Sequence, residues 1–336
     1  MKSNIKAISY YLPKGELTNH DINIEFPEWD IDKISSKTGI NSRHISASDE
    51  FASDLAIKAA NKLFEEHSID RQKVDFLLYC TQSPDYFLPT TACIIQDKLG
   101  LQTNIGALDF NLGCSGFVYG LSLAKGLIDG GMARNVLLIT SETYSKFIHP
   151  KDKSNKTIFG DAAAATLISL DEGFCSIGEF VFGTDGRGAQ NLIVRNGGIR
   201  NLLKKGVDVT DEYGNVKNDD NLHMNGTEIF NFTIDSIPSL TQSLLDKMDT
   251  TLDKIDLFIF HQANKYMLNH LRKKIGIPEE KFFISMGNFG NTVSSTIPIA
   301  LLEAKKQGKL DLIKNCIIEG FGVGYSLAAC NLYINK

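Results

Sequence analysis

The stretch Lys73–Cys80, KVDFLLYC, is nearly repeated at Lys254–His261, KIDLFIFH. Each is a short apolar run after a polar, helix-like stretch, the pattern of a strand buried on both faces in a βαβ arrangement. Asp75 and Asp256 stand 181 residues apart. Further on, ALDFNLGCSGFVYGLSLAKGLIDGG (107–131) parallels KFFISMGNFGNTVSSTIPIALLEAKKQG (281–308), each reading as strand, glycine-containing turn and helix. NVLLITSE from Asn135 parallels NCIIEGFG from Asn315, an offset of 180 residues. Matches at a nearly constant offset predict a duplicated chain, with α/β halves 1–175 and 176–336 packed as pseudo-twofold mates. Ligands of open parallel sheets gather beyond the carboxyl ends of the strands, so the loops after Phe260, around Cys114 and around Asn291 are expected to converge. The segment from Ile193 to Asn225 breaks the symmetry. Rich in Gly, Asp and Asn, it reads as a long surface excursion bordering the substrate entrance.

The chain has 336 residues, 43% hydrophobic and 22% charged, enough for a large core in two domains or one duplicated domain. A formal net charge of −5 gives no global field to draw in a nucleic acid. The N-terminus carries no long apolar run, and no later stretch reaches roughly 18 uninterrupted apolar residues. A cytoplasmic protein without a membrane span is expected. The cysteines (Cys80, Cys93, Cys114, Cys175, Cys316, Cys330) lack C-x-x-C spacing, which counts against zinc and redox motifs and leaves most of them as small buried hydrophobes.

Cys114 has a distinctive context. LDFNL reads as a strand, Gly113 as a turn, and Phe117, Val118, Leu121, Ala124 and Leu127 follow at helical spacing. That places the thiol at a helix N-terminus, where the dipole and unpaired N–H groups favour thiolate. The segment alone leaves both a nucleophile and a small core residue open. His261 ends an apolar strand, where an imidazole reads either as a cleft residue or as a satisfied structural histidine. Asn291, in NFGNTVSSTIP, reads alone as a turn or capping residue. Together the three supply a soft nucleophile, an imidazole and a neutral amide donor, and no phosphate-cradling motif competes with them.

The LGCSG turn (112–116), HQAN (261–264), GNTVSSTIP (290–298) and EGFGVGYSLA (319–328) resemble the β-ketoacyl-acyl carrier protein synthase III family of the thiolase-like superfamily. SSKTGINSRHIS (35–46) and IFGDAAAATLI (158–168) fit as well, so the resemblance is colinear over the chain. It implies an α/β, thiolase-like duplicated fold in a five-layered α/β/α/β/α arrangement, normally a homodimer. By resemblance Cys114 is the acylated nucleophile, His261 and Asn291 act on a malonyl thioester, and the backbone N–H groups of Cys114 and Val323 form an oxyanion hole. The implied reaction is a decarboxylative Claisen condensation of an acyl-CoA or other acyl thioester with malonyl-acyl carrier protein. Coenzyme A thioester enters as substrate and no cofactor is required. A Cys-His-Asn triad separates this branch from elongating synthases, thiolases and hydroxymethylglutaryl-CoA synthases. The alternative enzyme reading passes the acyl group from Cys114 to an amine or hydroxyl without condensation.

The chain departs from the family where coenzyme A is held. Lys33 falls where a stacking tryptophan is common, and Lys37 and Lys153 fall where arginines are; Trp29 lies earlier. Lysine offers neither stacking nor a planar fork, so acetyl-CoA is expected to be an inefficient primer. Asn264, Lys265, Arg272, Lys273 and Lys274 form the expected contact patch for substrate and an acidic carrier protein, the other reading being a solvated helix face. Phe87, in SPDYFLPTTA, resembles the residue that reaches across a dimer into the partner's acyl pocket.

Overall fold

The computed structural model describes residues 3–212 and 214–335. Strands β1 (Asn4–Tyr11), β2 (Phe76–Cys80), β3 (Gly106–Phe110), β4 (Asn135–Glu142) and β5 (Ala162–Ser169) are followed by β6 (Cys175–Thr184), β7 (Leu257–Phe260), β8 (Asn315–Gly322) and β9 (Ser326–Ile334). They hydrogen-bond in one nine-stranded series ordered β7-β8-β9-β6-β1-β5-β4-β2-β3. The order mirrors itself about the β6–β1 pair, joined among the described residues through Asn4↔Ser176 and Ile5↔Cys175. β2 runs parallel to β3 and β4, as β7 runs parallel to β8. The place beside β7 that corresponds to β3 is taken by a parallel bridge from Phe282 to Phe258.

The repeated Asp and Asn prove to be matching pins. Asp75 Oδ2 accepts from the backbone N–H groups of Arg134 (2.8 Å) and Asn135 (2.7 Å). Asp256 Oδ2 accepts from those of Lys314 (2.8 Å) and Asn315 (3.0 Å). Each fixes the register of two parallel strands by charge-assisted bonds. The Asp residues of the sequence repeat thus hold equivalent pins.

The layers follow from side-chain alternation along the strands. Leu77, Leu137 and Ile139 face helices α1 (Ala52–Glu66) and α2 (Thr91–Lys98), while Leu78, Val136 and Leu138 face the opposite way. There they meet α3 (Gly116–Asp129) and α6 (Thr296–Lys306), which also pack on Ile259, Cys316 and Ile318 from the second half. Ile317 and Phe321 point outward to α4 (Gly226–Lys247) and α5 (Lys265–Ile275). The result is helix, sheet, helix, sheet, helix. Because α3 is covered on two sides, its Phe117, Val118, Leu121, Ala124 and Ile128 are all fully buried, wider than the stripe of a surface helix.

The excursion after β6 is less featureless than its composition suggests. Leu192–Ile193 pairs with His223–Met224, and Val209–Thr210 with Val216–Lys217. Among the described residues no helix is long and apolar enough to cross a membrane.

Glu319, on the α4 face of β8, is fully buried. Burial pushes its pKa up to about 8, with only the Thr241 hydroxyl pulling down. A raised acid pKa means that the folded state keeps a proton the unfolded chain has lost. Stability from this group is therefore present at low pH and is lost as pH rises from the ordinary carboxyl range through about 8. Glu319→Gln should match the wild-type melting temperature near pH 5 and exceed it by several degrees near pH 8.5, measured by calorimetry.

Candidate active site

Chemistry-bearing residues collect where the parallel strands end. Cys114 follows β3, His261 follows β7, Glu142 ends β4 and Gly322 ends β8. Cys114 sits just ahead of α3 and is 6% exposed. Strand β8 crosses directly against it. A Cβ on Gly322 would stand 2.9 Å from Cys114 Sγ, and one on Gly320 would stand 2.8 Å from the Cys114 carbonyl oxygen. Only glycine lets the strand approach so closely. The approach also brings the Val323 N–H to the sulfur, beside that of Cys114 itself, and both donors pull the thiol pKa down.

They do not win. Burial first, and the Glu142 carboxyl second, push the Cys114 thiol up to about 12. The expectation of a thiolate favoured by the helix end is therefore corrected: desolvation outweighs the stabilising donors, and the resting group is a thiol. Glu142 is itself fully buried, and burial pushes it up to about 8 although it accepts from Gln82 N–H, Ser83 Oγ and Ser294 Oγ. Sequence reading passed over it, because a glutamate ending an apolar strand carries no motif.

His261 is 2% exposed, and burial lowers its pKa to about 3, so the imidazole is neutral. Its Nδ1 lies 2.7 Å from Thr296 Oγ1, which in turn lies 3.1 Å from the Val293 carbonyl. The threonine has one proton to give. Given to Val293, it makes Nδ1 the donor and leaves a lone pair on Nε2; given to Nδ1, it leaves Nε2–H. Thr296 thus couples to the imidazole tautomer, and its signal in the sequence was hidden within a helix start. Phe321 packs edge-on against the ring at 5.6 Å.

Asn291 is tied on three sides. Its N–H donates to Ile158 O (2.8 Å), its carbonyl accepts from Gly160 N (3.1 Å), and its Oδ1 accepts from Val293 N (2.9 Å). Val293 holds φ at 55°, a costly conformation for a β-branched residue and one that turns its N–H onto the amide. With Oδ1 occupied, the amide offers Nδ2, a donor.

Cys114, His261, Asn291 and Asn264 line one cavity of about 150 Å³. Its apolar wall includes Tyr144, Phe159, Leu192 and Met224, so the roots of the excursion do border the site. Asn264 also caps α5 through Oδ1 to the Met267 N–H (2.9 Å). The remaining expected residues lie elsewhere. Lys37 shares a surface hollow with Lys33, Thr157 and also Trp29, so an aromatic stands beside the two lysines after all. Lys153 is buried and paired with Glu28. Lys265 and Arg272 line a separate groove, where Arg272 pairs with Glu279 at 3.0 Å. Lys274 pairs with Asp235 at 3.4 Å, while Lys273 is exposed. Phe87 is 70% exposed and does not line the cavity of its own chain.

Comparison with known proteins agrees with this arrangement. Residues 108–186 match the family model for 3-oxoacyl-[acyl-carrier-protein] synthase III, and residues 245–334 match its C-terminal model. The chain is 37% identical to the β-ketoacyl-[acyl-carrier-protein] synthase III of Clostridium perfringens, over 97% of this chain and 98% of that protein. A solved 3-oxoacyl-(acyl-carrier-protein) synthase III superposes with a TM-score of 0.96 at 48% identity, covering 99% of this chain and all of the other. The synthase from Burkholderia xenovorans superposes at 0.90 with 35% identity, covering 100% of this chain and 95% of that one. The chain belongs to the β-ketoacyl-acyl carrier protein synthase III family.

Proposed function

We propose that this chain joins an acyl thioester primer to malonyl-acyl carrier protein with loss of carbon dioxide, through an acyl-Cys114 intermediate. The observation that carries the reading is the sulfur of Cys114 facing two backbone N–H donors while sharing one cavity with a neutral imidazole and a fixed amide. In the first half-reaction the thiol attacks the primer carbonyl. Its proton passes to His261 Nε2 and then to the departing thiol, while the N–H groups of Cys114 and Val323 hold the oxyanion. In the second, malonyl thioester loses carbon dioxide, and the enolate oxygen takes hydrogen bonds from Asn291 Nδ2 and His261 Nε2–H. That role needs the tautomer in which Thr296 donates to Nδ1, whereas the first needs the other. The enolate carbon then attacks the acyl-cysteine, the C–S bond breaks, and the departing Cys114 thiolate takes a proton from solvent to restore the thiol.

A small, mostly apolar cavity suits a short acyl primer. The reaction as written draws on no cofactor. The wider reading places the chemistry between halves 1–175 and 176–336 of a cytoplasmic homodimer, with Phe87 entering the partner's acyl pocket. The exposed Tyr86, Phe87 and Leu88 support that contact. Lys265 and Lys273 are the cations of the expected patch best placed for a carrier protein, since Arg272 and Lys274 already hold carboxylates.

Incubation with malonyl-acyl carrier protein and a panel of short acyl-CoA primers should yield 3-ketoacyl-carrier protein by mass spectrometry, and Cys114→Ala should yield none. Acylated Cys114 without any ketoacyl product would instead favour transfer to an amine or hydroxyl. Alkylation of Cys114 by iodoacetamide should keep accelerating through pH 9–10 with no plateau near 8, since its thiol is held near 12. Thr296→Val should slow condensation by roughly 10-fold or more, with Thr296→Ser close to wild type, because only a hydroxyl can serve both tautomers.

A further inference from the structure

Near the catalytic cavity, two glutamates and two lysines clasp one aromatic ring. The turn Glu25-Phe26-Pro27-Glu28 lies against the helical turn Lys153–Lys156. Lys153 is ion-paired with Glu28 and stands 5.4 Å from the Phe26 ring centroid. Lys156 is 2.7 Å from Glu25 and 5.3 Å from the same centroid. Carboxylates three residues apart thus meet ammonium groups three residues apart, with the ring between them as a cation–π partner. The Lys153 side chain is 8% exposed and that of Glu28 57%, so the carboxylate caps a cation otherwise enclosed by protein.

The clasp is part of the entrance. Glu28 lines the hollow of Trp29, Lys33, Lys37 and Thr157. Thr157 is followed directly by Ile158 and Phe159, which line the catalytic cavity. A thioester whose acyl end lies at Cys114 and whose handle leaves past Thr157 passes the capped lysine. An incoming phosphate has to displace a carboxylate already seated on that cation.

Building on the condensation reading, we propose that Glu28 is a specificity-determining residue. By occupying Lys153 it withholds that cation from the phosphates of a coenzyme A thioester, so that the primer is selected through its acyl group and pantetheine arm. Glu28→Gln keeps the side chain's size and removes its charge at an exposed position. With the full chain at low ionic strength, this variant should lower the KM for an acyl-CoA primer several-fold and leave kcat unchanged. The KM for the matching acyl-pantetheine, which has no phosphate, should not move. The gain should shrink with added salt and vanish in Glu28→Gln/Lys153→Met. An unchanged or raised KM for the acyl-CoA would overturn the proposal, and with a lowered melting temperature would make the clasp a structural staple only. An equal fall for acyl-pantetheine would overturn it too, since the effect would not concern phosphate. Mass spectrometry of Cys114 separates this result from the underlying reading: if neither thioester acylates Cys114, the condensation reading fails, whereas acylation without the KM shift removes the role of Glu28 alone.

Discussion

The close crossing of β8 over the Cys114 turn is the contact on which the site depends. Gly320 and Gly322 have no Cβ, and each would collide with the Cys114–Ser115 backbone or with the Cys114 side chain if it had one. A shift of even 1 Å would move the Val323 N–H from the sulfur, and oxyanion donors act only at hydrogen-bond range. In the proposed mechanism the nucleophile and one donor come from Cys114, before β4, and the second donor, His261 and Asn291 from β7 onward. On that proposal neither half contains a complete site.

Burial sets the electrostatics of that site. It holds His261 neutral, raises the Cys114 thiol and raises the neighbouring Glu142 carboxyl. A resting thiol is protected from stray oxidants and electrophiles, since thiolate is the reactive form. A neutral imidazole can accept the thiol proton and later donate, provided something exchanges its tautomer, and Thr296 is within reach of Nδ1 at 2.7 Å. Preorganised donors in a dry pocket are worth more than the same groups in water. In the proposed reaction that gain offsets the high resting pKa of the Cys114 thiol.

Much of this was legible in the sequence, for identifiable reasons. The Asp75 and Asp256 repeat marks the matching strand pins, and the β-strand runs beside them are apolar because both faces are covered. Cys114, His261 and Asn291 stand in local patterns that name a strand end or a turn, and such positions converge in a parallel sheet. What stayed hidden depends on partners distant in the chain. Glu142 is held by Ser83, 59 residues away, and by Ser294, 152 residues away, and Lys153 pairs with Glu28, 125 residues away. Trp29 shares the hollow of Lys33 and Lys37 although it lies just ahead of the helix Ile31–Thr38 that carries them. The thiolate expectation failed for the same reason: helix position is local, whereas burial is a property of the whole assembly.

The most direct test of the two-halves site is the infrared difference spectrum of acyl-Cys114 labelled with carbon-13 at its carbonyl. If the N–H groups of Cys114 and Val323 both donate to the acyl oxygen, the carbonyl stretch lies well below that of a free thioester in an apolar solvent. It then moves back toward that value in Gly322→Ala, where the crossing strand is pushed away. A wild-type stretch at the free-thioester position would contradict the account, since the carbonyl would then lie outside the donors the two halves supply.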